Sequence, residues 1–315
     1  MKNETSSSTA PTWGVVAAFA AVYVIWGSTY LGIRYAVESI PPFLMAGGRN
    51  LAAGLLLYAL ARARGNGVPS RGEWRDAAIA GGLMLALGNG GVTWAEQVIP
   101  SGVTALLVAF TPVWMVLLDW LRPGGTRPRP FVAMGLLVGF LGVALLARGG
   151  ENHSSRAYDW GVAALMMASM GWACGSIFNR HARKPASPLL GVSMQMIAGG
   201  ALMLGFGAVR GEAAQFSIDR VTGLSAGAWL YLTAAGSMVG YTAYVWLLHA
   251  STPARVGTYA YVNPFIAVML GCTIGHETFS HELFVAGLLI ITAVILIVRG
   301  GAAKADSATQ CEEVA

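Results

Sequence analysis

The sequence predicts an all-α integral membrane protein in which ten transmembrane helices form two inverted-topology five-helix repeats around a central cavity. Three observations support this prediction. Hydrophobic residues make up 55% of the 315 residues and charged residues only 11%. The second half of the chain repeats the first, and each half contains five apolar segments. The mean hydropathy of +0.59 is too high for a water-soluble surface.

Ten apolar segments have about the length of 20 residues that a helix needs to cross a membrane. These predicted spans are 13–37, 42–61, 77–97, 101–121, 130–147, 159–179, 188–209, 225–248, 254–274 and 281–298. The connections between them are short, so the chain has no room for a soluble catalytic or nucleotide-binding domain. Pro41, Pro42 and Pro100 lie between spans and are expected to mark helix boundaries.

An internal repeat relates the two halves of the chain. At a shift of 152 positions the coinciding residues are Gly88 and Gly240, Trp94 and Trp246, Pro112 and Pro264, Gly135 and Gly287, and Gly149 and Gly301. At a shift of 146 they are Trp26 and Trp172, Arg34 and Arg180, and Ala36 and Ala182, so an insertion of six residues reconciles the two sets. We therefore predict repeats at 13–150 and 151–299, with a leader at 1–12 and a tail at 300–315.

Because each repeat has an odd number of spans, the two repeats are expected to lie upside down relative to each other. Secondary transporters share this plan, and their substrate sites lie near the pseudo-two-fold axis at the membrane midplane.

Lysine and arginine residues are distributed unevenly between the two ends of the predicted spans. Fourteen lie at the end that carries both termini, five lie at the opposite end, and Arg49 lies within a span. The positive-inside rule therefore places the leader and the tail in the cytoplasm. The same asymmetry accounts for the net charge of +5 without a nucleic-acid partner.

Several classes of function lack their sequence signatures. The chain has no GxxxxGK[ST] loop, no HExxH or GxSxG motif and no pair of intramembrane aspartates. Its three cysteines, Cys174, Cys272 and Cys311, lack the spacing of a metal site. We therefore expect no enzymatic activity, no cofactor and no metal, and we expect a monomer whose partners are lipid and a small-molecule substrate.

Arg49 is the only Asp, Glu, Lys or Arg in the middle thirds of the predicted spans. A guanidinium there is costly unless it faces a wet cavity or a partner. Two interpretations stay open: Arg49 binds an anionic group such as a substrate carboxylate, or it pairs with helix-end carbonyls or with Glu96. Because no carboxylate lies in mid-span, proton coupling has no evident carrier, and Glu96 is the best remaining candidate.

Aromatic and amide side chains supply further candidates for a substrate site. In mid-span their polar atoms need partners, so these side chains face the protein interior or a cavity. At span ends, aromatic residues are ordinary interface anchors, and packing is the alternative for each residue alone. Together with Arg49, the predicted substrate-binding residues are Trp26, Tyr30, Asn89, Trp94, Trp172, Tyr241, Tyr244, Tyr259 and Asn263.

Proline and glycine residues indicate where the helices bend. Pro112 and Pro264 are equivalent in the two repeats, and each is expected within a helix, where proline removes a hydrogen bond and favours a kink. We predict that both prolines, with Gly88 and Gly240, serve as hinges in alternating access. Close helix packing is the alternative for the glycines.

Some of these residues resemble the EamA-type repeat of the drug/metabolite transporter superfamily. In the first half the resemblance is carried by Trp26-Gly27-Ser28, Arg49, Trp94-Ala95-Glu96-Gln97, the run 100–107 and Pro112. In the second half it is carried by Trp172, Gly240, the run 250–254 and Asn263-Pro264. It covers about residues 13–299 and is greatest to bacterial ten-helix exporters of the YddG and YedA kind, some of which export aromatic and other amino acids.

The resemblance implies efflux of small metabolites across the bacterial inner membrane. It also implies a cavity formed by spans 1, 3, 4, 6, 8 and 9, with spans 5 and 10 at the periphery. The chain lacks the carboxylate that the four-helix multidrug branch carries in its first helix, which favours facilitated diffusion or exchange. The alternatives are a proton-coupled antiporter and a channel, although the repeated ring of carbonyls or charges of a channel is missing.

Overall fold

The computed structural model describes residues 12–121, 130–147, 156–250 and 258–313, and their regular secondary structure is entirely helical. Apart from Thr12, the predicted leader lies outside the described residues. We number eleven helices in chain order: α1 12–37, α2 Pro42–Ala63, α3 71–95, α4 Ser101–Val108, α5 Thr111–Leu121, α6 Pro130–Ala147, α7 Arg156–His181, α8 Pro188–Val209, α9 223–250, α10 Tyr259–Thr273 and α11 His281–Glu313. Two short turns, Glu212–Gln215 and Ile218–Arg220, lie between α8 and α9.

Each predicted span overlaps these helices, and the fourth span corresponds to α4 and α5 together. Residues 254–257 of the ninth predicted span lie outside the described residues. In the described residues, six stretches are long and apolar enough to cross a membrane: Trp13–Val37, Pro42–Ala63, Arg71–Ala95, Ser101–Leu118, Arg156–His181 and Pro188–Val209. Three shorter apolar helices are Pro130–Leu146, Val262–Thr273 and His281–Ile297. The chain is therefore a multi-pass membrane protein, and ten crossings in an inverted repeat stay a prediction.

Helix boundaries follow local capping chemistry. Pro42 is the first residue of α2, where its missing N–H would have no intrahelical partner, and Pro100 caps α4. α3 begins at Arg71, six residues before the predicted start, because Ser70 and Glu73 form a capping box. Hydropathy does not detect this start because charged residues occupy the first turns of α3. At the other end of the chain, α11 continues through the predicted tail to Glu313.

The predicted position of Pro112 inside a helix was wrong, although the fourth span is interrupted just before this residue. A turn at Ala109 and Phe110 separates α4 from α5, and Pro112 is the second residue of α5. Proline in a first turn removes no intrahelical hydrogen bond, so Pro112 helps to start a helix instead of bending one. Pro264 does lie inside α10, as predicted. The two prolines therefore differ in their structural setting.

The structure locates the six extra residues that separate the two shifts. α2 and α8 are both 22 residues long, and they start at Pro42 and Pro188, which are 146 positions apart. The connection that follows α2 spans 64–70, whereas the connection that follows α8 spans 210–222 and includes two short turns. The insertion therefore lies outside the apolar helices.

Within the part of the chain that the structure describes, three helices contain π-helical segments. Such segments are uncommon overall and are frequent at functional sites. They are Val22–Trp26 in α1, Gly82–Asn89 in α3 and Leu232–Gly240 in α9. Those of α3 and α9 overlap when shifted by 152 positions, whereas the equivalent of the first, within α7, is regular α-helix. The helical geometry thus follows the sequence repeat in one pair of helices and departs from it in the other.

α2 and α8 cross closely because glycines face the backbone of the opposite helix. A methyl group on Gly200 would lie 2.7 Å from the amide nitrogen of Leu51, and one on Gly54 would lie 2.9 Å from that of Ile197. In lipid, where apolar side chains gain little by leaving the solvent, such backbone approach is a main source of helix association. Next to this crossing, α2 and α8 bury Arg49 and Gln195.

We expect Gly200→Ala to destabilise the protein by about 1–3 kcal/mol, because the added methyl group forces α2 and α8 apart. Gly205→Ala is a matched control on the same helix, since nothing lies within 4 Å of its added methyl group. Thermal unfolding of detergent-solubilised variants measures both effects. Equal melting temperatures for the two variants would contradict the close crossing.

Candidate functional site

An internal cavity of about 130 Å³ lies among the helices. Side chains from α1, α3, α4, α5, α7, α9 and α10 line it, and these helices correspond to the six spans expected to form a cavity. α2 and α8 also contribute. Among the described residues, none from α6 or α11 lines the cavity, which agrees with their expected peripheral position.

Most of the predicted site residues face this one cavity. The lining includes Trp26, Tyr30, Arg49, Asn89, Trp172, Tyr241, Tyr259 and Asn263, together with the predicted hinge residues Gly88 and Pro264. Their proximity is therefore established, whereas their roles in substrate binding and bending stay predictions.

Trp94, Tyr244, Pro112 and Gly240 do not line the cavity. Trp94 is half-buried and packs against two hydrophobic clusters. Tyr244 is buried behind Trp26, with 4.9 Å between ring centroids, and a methyl group on Gly240 would lie 2.7 Å from Trp26 Nε1. Helical spacing alone does not separate residues that touch the cavity from residues that support its wall.

Trp26 is the centre of an aromatic wall. Its ring lies edge-on to Tyr259 at 5.5 Å and to Trp172 at 6.3 Å between centroids. Tyr241 lies 6.4 Å from the same ring. Edge-to-face contacts are the favoured geometry of aromatic pairs, so this wall is held together by its own side chains.

Arg49 forms the polar side of the cavity. Its Nη2 donates to Asn89 Oδ1 at 2.7 Å, and Asn50 Nδ2 donates to the same oxygen at 3.5 Å. Arg49 is only 4% exposed, and its Nε has no hydrogen-bond partner among the described residues. The partner found is thus an amide of the cavity, and no hydrogen bond to Glu96 or to a helix-end carbonyl is present in this part of the chain.

π-helical segments bring lining residues from three helices to the cavity. Trp26 ends the segment in α1, Gly88 and Asn89 end the segment in α3, and Gly236 and Ser237 belong to the segment in α9. The indole Nε1 of Trp26 donates to the Gly236 carbonyl at 3.4 Å. Irregular backbone at membrane depth is tolerated where it lines a cavity, and these segments lie there.

A chain of polar side chains extends from the cavity into α8. The Tyr241 hydroxyl donates to Gln195 Oε1 at 2.9 Å, and Gln195 Nε2 donates to Asn179 Oδ1 at 3.1 Å. Gln195 is the equivalent of Arg49 at a shift of 146, and Tyr241 is the equivalent of Asn89 at a shift of 152. The Arg49 and Gln195 hydrogen bonds therefore link equivalent positions in the two halves.

The sequence-based prediction did not include Thr29, Asn50, Ser169, Met196 or Ser237, all of which line the cavity. The internal repeat could have identified some of these residues, because several lining residues occur in pairs at equivalent positions of the two halves. These pairs are Asn89 and Tyr241, Leu85 and Ser237, Thr111 and Asn263, and Val108 and Ala260 at 152, with Trp26 and Trp172, and Asn50 and Met196, at 146. Applying the repeat to Asn263 identifies Thr111, another lining residue that the prediction omitted.

Arg49 is the only charged residue among the described residues that line the cavity. The remaining side chains are apolar, aromatic, hydroxyl or amide groups. A single buried positive charge beside neutral hydrogen-bonding groups favours a ligand with one anionic group. A membrane-spanning helical bundle around such a cavity has the architecture of the membrane transporters.

Comparison with known proteins identifies the family. Residues 12–148 and again residues 159–299 match the EamA-like transporter family. The chain belongs to this family, which is part of the drug/metabolite transporter superfamily. It is thus a membrane transporter, and the family and the relatives named below are transporters, not enzymes.

Individual relatives cover nearly the whole chain. The uncharacterized inner membrane transporter YedA of Escherichia coli K12 is 37% identical over 284 residues, which is 90% of each chain. The uncharacterized transporter YvbV of Bacillus subtilis 168 is 26% identical over 88% of this chain and 89% of its own length. A protein of Escherichia coli K12 named "probable amino-acid metabolite efflux pump" is 24% identical over 89% of this chain and 93% of its own length.

A solved crystal structure shares the fold. It superposes with a TM-score of 0.63 over 91% of this chain and 98% of the other, at 20% sequence identity.

We expect Asn89→Ala to destabilise the protein by about 1–3 kcal/mol, because the buried guanidinium of Arg49 loses its acceptor. The double variant Arg49→Met with Asn89→Leu should recover part of this loss, since it leaves neither polar group unpaired. Thermal unfolding of Arg49→Met, of Asn89→Leu and of the double variant, each compared with the unsubstituted protein, measures the coupling between the two residues. Strictly additive losses would show that the hydrogen bond contributes nothing to the fold.

Proposed function

We propose that this protein is a secondary transporter of the bacterial inner membrane that exports small metabolites, most of all aromatic and other neutral amino acids, by alternating access. The observation that carries the proposal is the cavity itself. One guanidinium lies on its polar side, an aromatic wall lies around Trp26, and no carboxylate is found among the described lining residues.

The chemistry of the cavity matches that of an amino acid. Arg49 binds the substrate carboxylate with a donor that the Asn89 bond leaves free. Asn263 Oδ1 has no hydrogen-bond partner among the described residues and accepts from the substrate ammonium. The wall of Trp26, Trp172 and Tyr259 packs against an apolar or aromatic side chain and offers ring faces to the ammonium.

Alternating access is supported by the pairing of lining residues between the two halves. Two inverted five-helix repeats at 13–150 and 151–299 would exchange equivalent conformations about an axis through the cavity. The separate family matches at 12–148 and 159–299 support this division. Gly88 and Pro264 lie at the cavity, and the break between α4 and α5 lies beside Pro112, so bending at these places reshapes the site.

Export by facilitated diffusion or exchange follows from the charges. Among the described residues of the cavity, none titrates near neutral pH, so substrate and proton do not compete there for one carboxylate. Proton-coupled antiport is the second candidate, and buried Glu96 is the residue that favours it. A channel is less well supported, because Arg49 is a single charge and not a ring.

The inner-membrane location rests on the relative YedA and on the distribution of charge. The fourteen-to-five excess of lysine and arginine supports a cytoplasmic location of both termini. The connections 38–41, 96–100, 210–222 and 274–280 then face the periplasm. A monomer suffices, since one chain forms the whole cavity.

In proteoliposomes we expect saturable counterflow of labelled amino acids, which a pore does not give. Tyr30→Ala and Asn263→Ala should each reduce the initial rate by tenfold or more, roughly the effect of losing 1–2 kcal/mol of binding. Trp246→Ala is the control, because Trp246 is the repeat equivalent of Trp94 and lies exposed on the outside of α9. Equal folded yields are checked by size-exclusion chromatography.

The same counterflow assay, applied to variants of Arg49, separates recognition of the substrate carboxylate from a structural role of this residue. Recognition of charge predicts partial rescue by Arg49→Lys and none by Arg49→Gln, whereas a bidentate structural role of Arg49 predicts failure of both variants. Leakage of every amino acid without saturation would reject the transporter mechanism in favour of a pore.

Cytoplasm-specific reporters fused at Met1 and at Ala315 should both be active, since an even number of crossings returns the chain to its starting side. One active and one silent fusion would mean an odd number of crossings and would exclude the inverted repeat.

A further inference from the structure

Glu96 is a buried carboxylic acid that the transport cycle above does not use. It directly follows the last residue of α3 and is 1% exposed. Neither of its carboxyl oxygens forms a hydrogen bond among the residues that the structure describes. An ionised carboxylate in such a place has lost its water without gaining donors in return.

Two arginines lie within electrostatic reach of Glu96, and both are already engaged. Arg34 in α1 lies 3.7 Å from Glu277 Oε1 through its Nε and donates from Nη1 to the Ile99 carbonyl at 3.5 Å. Arg49 in α2 donates to Asn89. Glu277 is the third nearby charge, and it is negative.

The other helices packed against this end of α3 add few titratable groups. α1 also contributes Tyr30, which interacts with Glu96. α7 brings Arg156, Tyr158 and Asp159 to this end, and the Tyr158 hydroxyl donates to the Leu146 carbonyl. α4 contributes the hydroxyl groups of Ser101 and Thr104, which are buried. The surroundings of Glu96 therefore supply neither solvent nor a dedicated counter-ion.

Glu96 lies at an end of the bundle where hydrogen bonds connect the ends of different helices. Glu277 accepts from the backbone nitrogens of Ser101 at 2.7 Å and Gly102 at 3.1 Å, which caps α4. The Tyr35 hydroxyl donates to the Ile274 carbonyl at 3.0 Å. We call this end of the bundle, with connections 38–41, 96–100, 210–222 and 274–280, the Glu96 end.

The same end is sealed by apolar side chains on the path to the cavity. Ile33, which lines the cavity, belongs to a buried hydrophobic cluster with Ala36, Ala95, Ile99 and Val103. Each of these residues is at most 9% exposed. The cavity is thus closed at the Glu96 end, with Glu96 inside the seal.

We infer that Glu96 is a proton-binding site that holds the Glu96 end closed while it is protonated and favours opening when it loses its proton to water. The inference rests on the proposed alternating access, because it requires a second conformation in which this end is open. It does not require proton-driven accumulation, since the proton enters and leaves from one side.

The sign of the pH effect follows from linkage. The closed conformation keeps the proton and the open conformation releases it, so raising the pH at this end increases the open population. For one proton the increase is at most about tenfold per pH unit. Glutamine has the shape of the protonated acid, so Glu96→Gln should remain closed at every pH.

Thiol labelling tests this without a substrate. Val103→Cys, in a protein whose Cys174, Cys272 and Cys311 are replaced by alanine, is labelled in detergent with a bulky, polar maleimide between pH 5.5 and 8. Val98→Cys at the same end is the reference, because Val98 is 40% exposed and reports the reactivity of the thiol alone. The measured quantity is the ratio of the Val103→Cys rate to the Val98→Cys rate.

The ratio should rise several-fold with pH when Glu96 is present and should stay flat with Glu96→Gln. Glu38→Gln, which removes an exposed carboxylate at the same end, should keep the rise. A flat ratio with Glu96 present, or an unchanged rise with Glu96→Gln, overturns the inference. Misfolding of Glu96→Gln alongside a folded Glu96→Asp also overturns it, because a neutral Glu96 must tolerate glutamine.

Failure of the proposed function and failure of the proton site give different combinations of results in the two assays. Absence of amino-acid counterflow together with a pH-dependent labelling ratio rejects the substrate and keeps the proton site. Counterflow with a flat ratio rejects the proton site and keeps the transporter.

Discussion

The close crossing of α2 and α8 is the constraint on which the rest of the structure depends. Gly54 and Gly200 allow the two helix backbones to touch, and lipid offers no other strong reason for apolar helices to associate. The crossing also decides where the polar groups go. Arg49 and Gln195, at equivalent positions of the two helices, are buried beside it and take their hydrogen bonds from α3 and from α9 and α7. Polar side chains that would be costly in lipid thereby become parts of an internal site.

Arg49 and Glu96 are two buried ionisable residues with different surroundings. Arg49 donates a hydrogen bond to Asn89, and its Nε has no hydrogen-bond partner among the described residues. Glu96 lies in the same bundle and is buried, and neither of its carboxyl oxygens has a hydrogen-bond partner among the described residues. A fixed positive charge suits the recognition of a carboxylate, whereas an unsupported acid suits the exchange of a proton. The two groups influence each other electrostatically, so we expect the proposed substrate recognition and the proposed proton site to depend on each other.

Equivalent positions of the two repeats differ in backbone geometry and in hydrogen bonding at the site. Trp26 and Trp172 are equivalent, and both line the cavity, but one ends a π-helical segment and the other lies in regular α-helix. Asn89 and Tyr241 are likewise equivalent, yet one accepts a bond from a guanidinium and the other donates to an amide. The duplicated framework therefore supplies two halves with different side chains at equivalent positions, and the one guanidinium among the described lining residues belongs to the first half. The proposed ligand, with one charged end and one apolar end, would meet the guanidinium of Arg49 and the aromatic wall around Trp26.

Length, hydropathy and proline positions predicted the helical membrane architecture from the sequence, and mid-span tyrosine, tryptophan, asparagine and arginine predicted most of the cavity lining. These properties act locally, because a long apolar run has no stable alternative to a helix in lipid. Which face of each helix meets the cavity was decided only by tertiary packing. The helices are apolar on their lipid-facing side as well as inside, so Trp94 and Trp246 could not be separated from Trp26 by pattern, and Ser169 and Ser237 went unnoticed among small packing residues. The π-helical segments and the burial of Glu96 without a hydrogen-bond partner likewise emerged only in the tertiary structure, because the burial of Glu96 depends on helices that are distant in sequence.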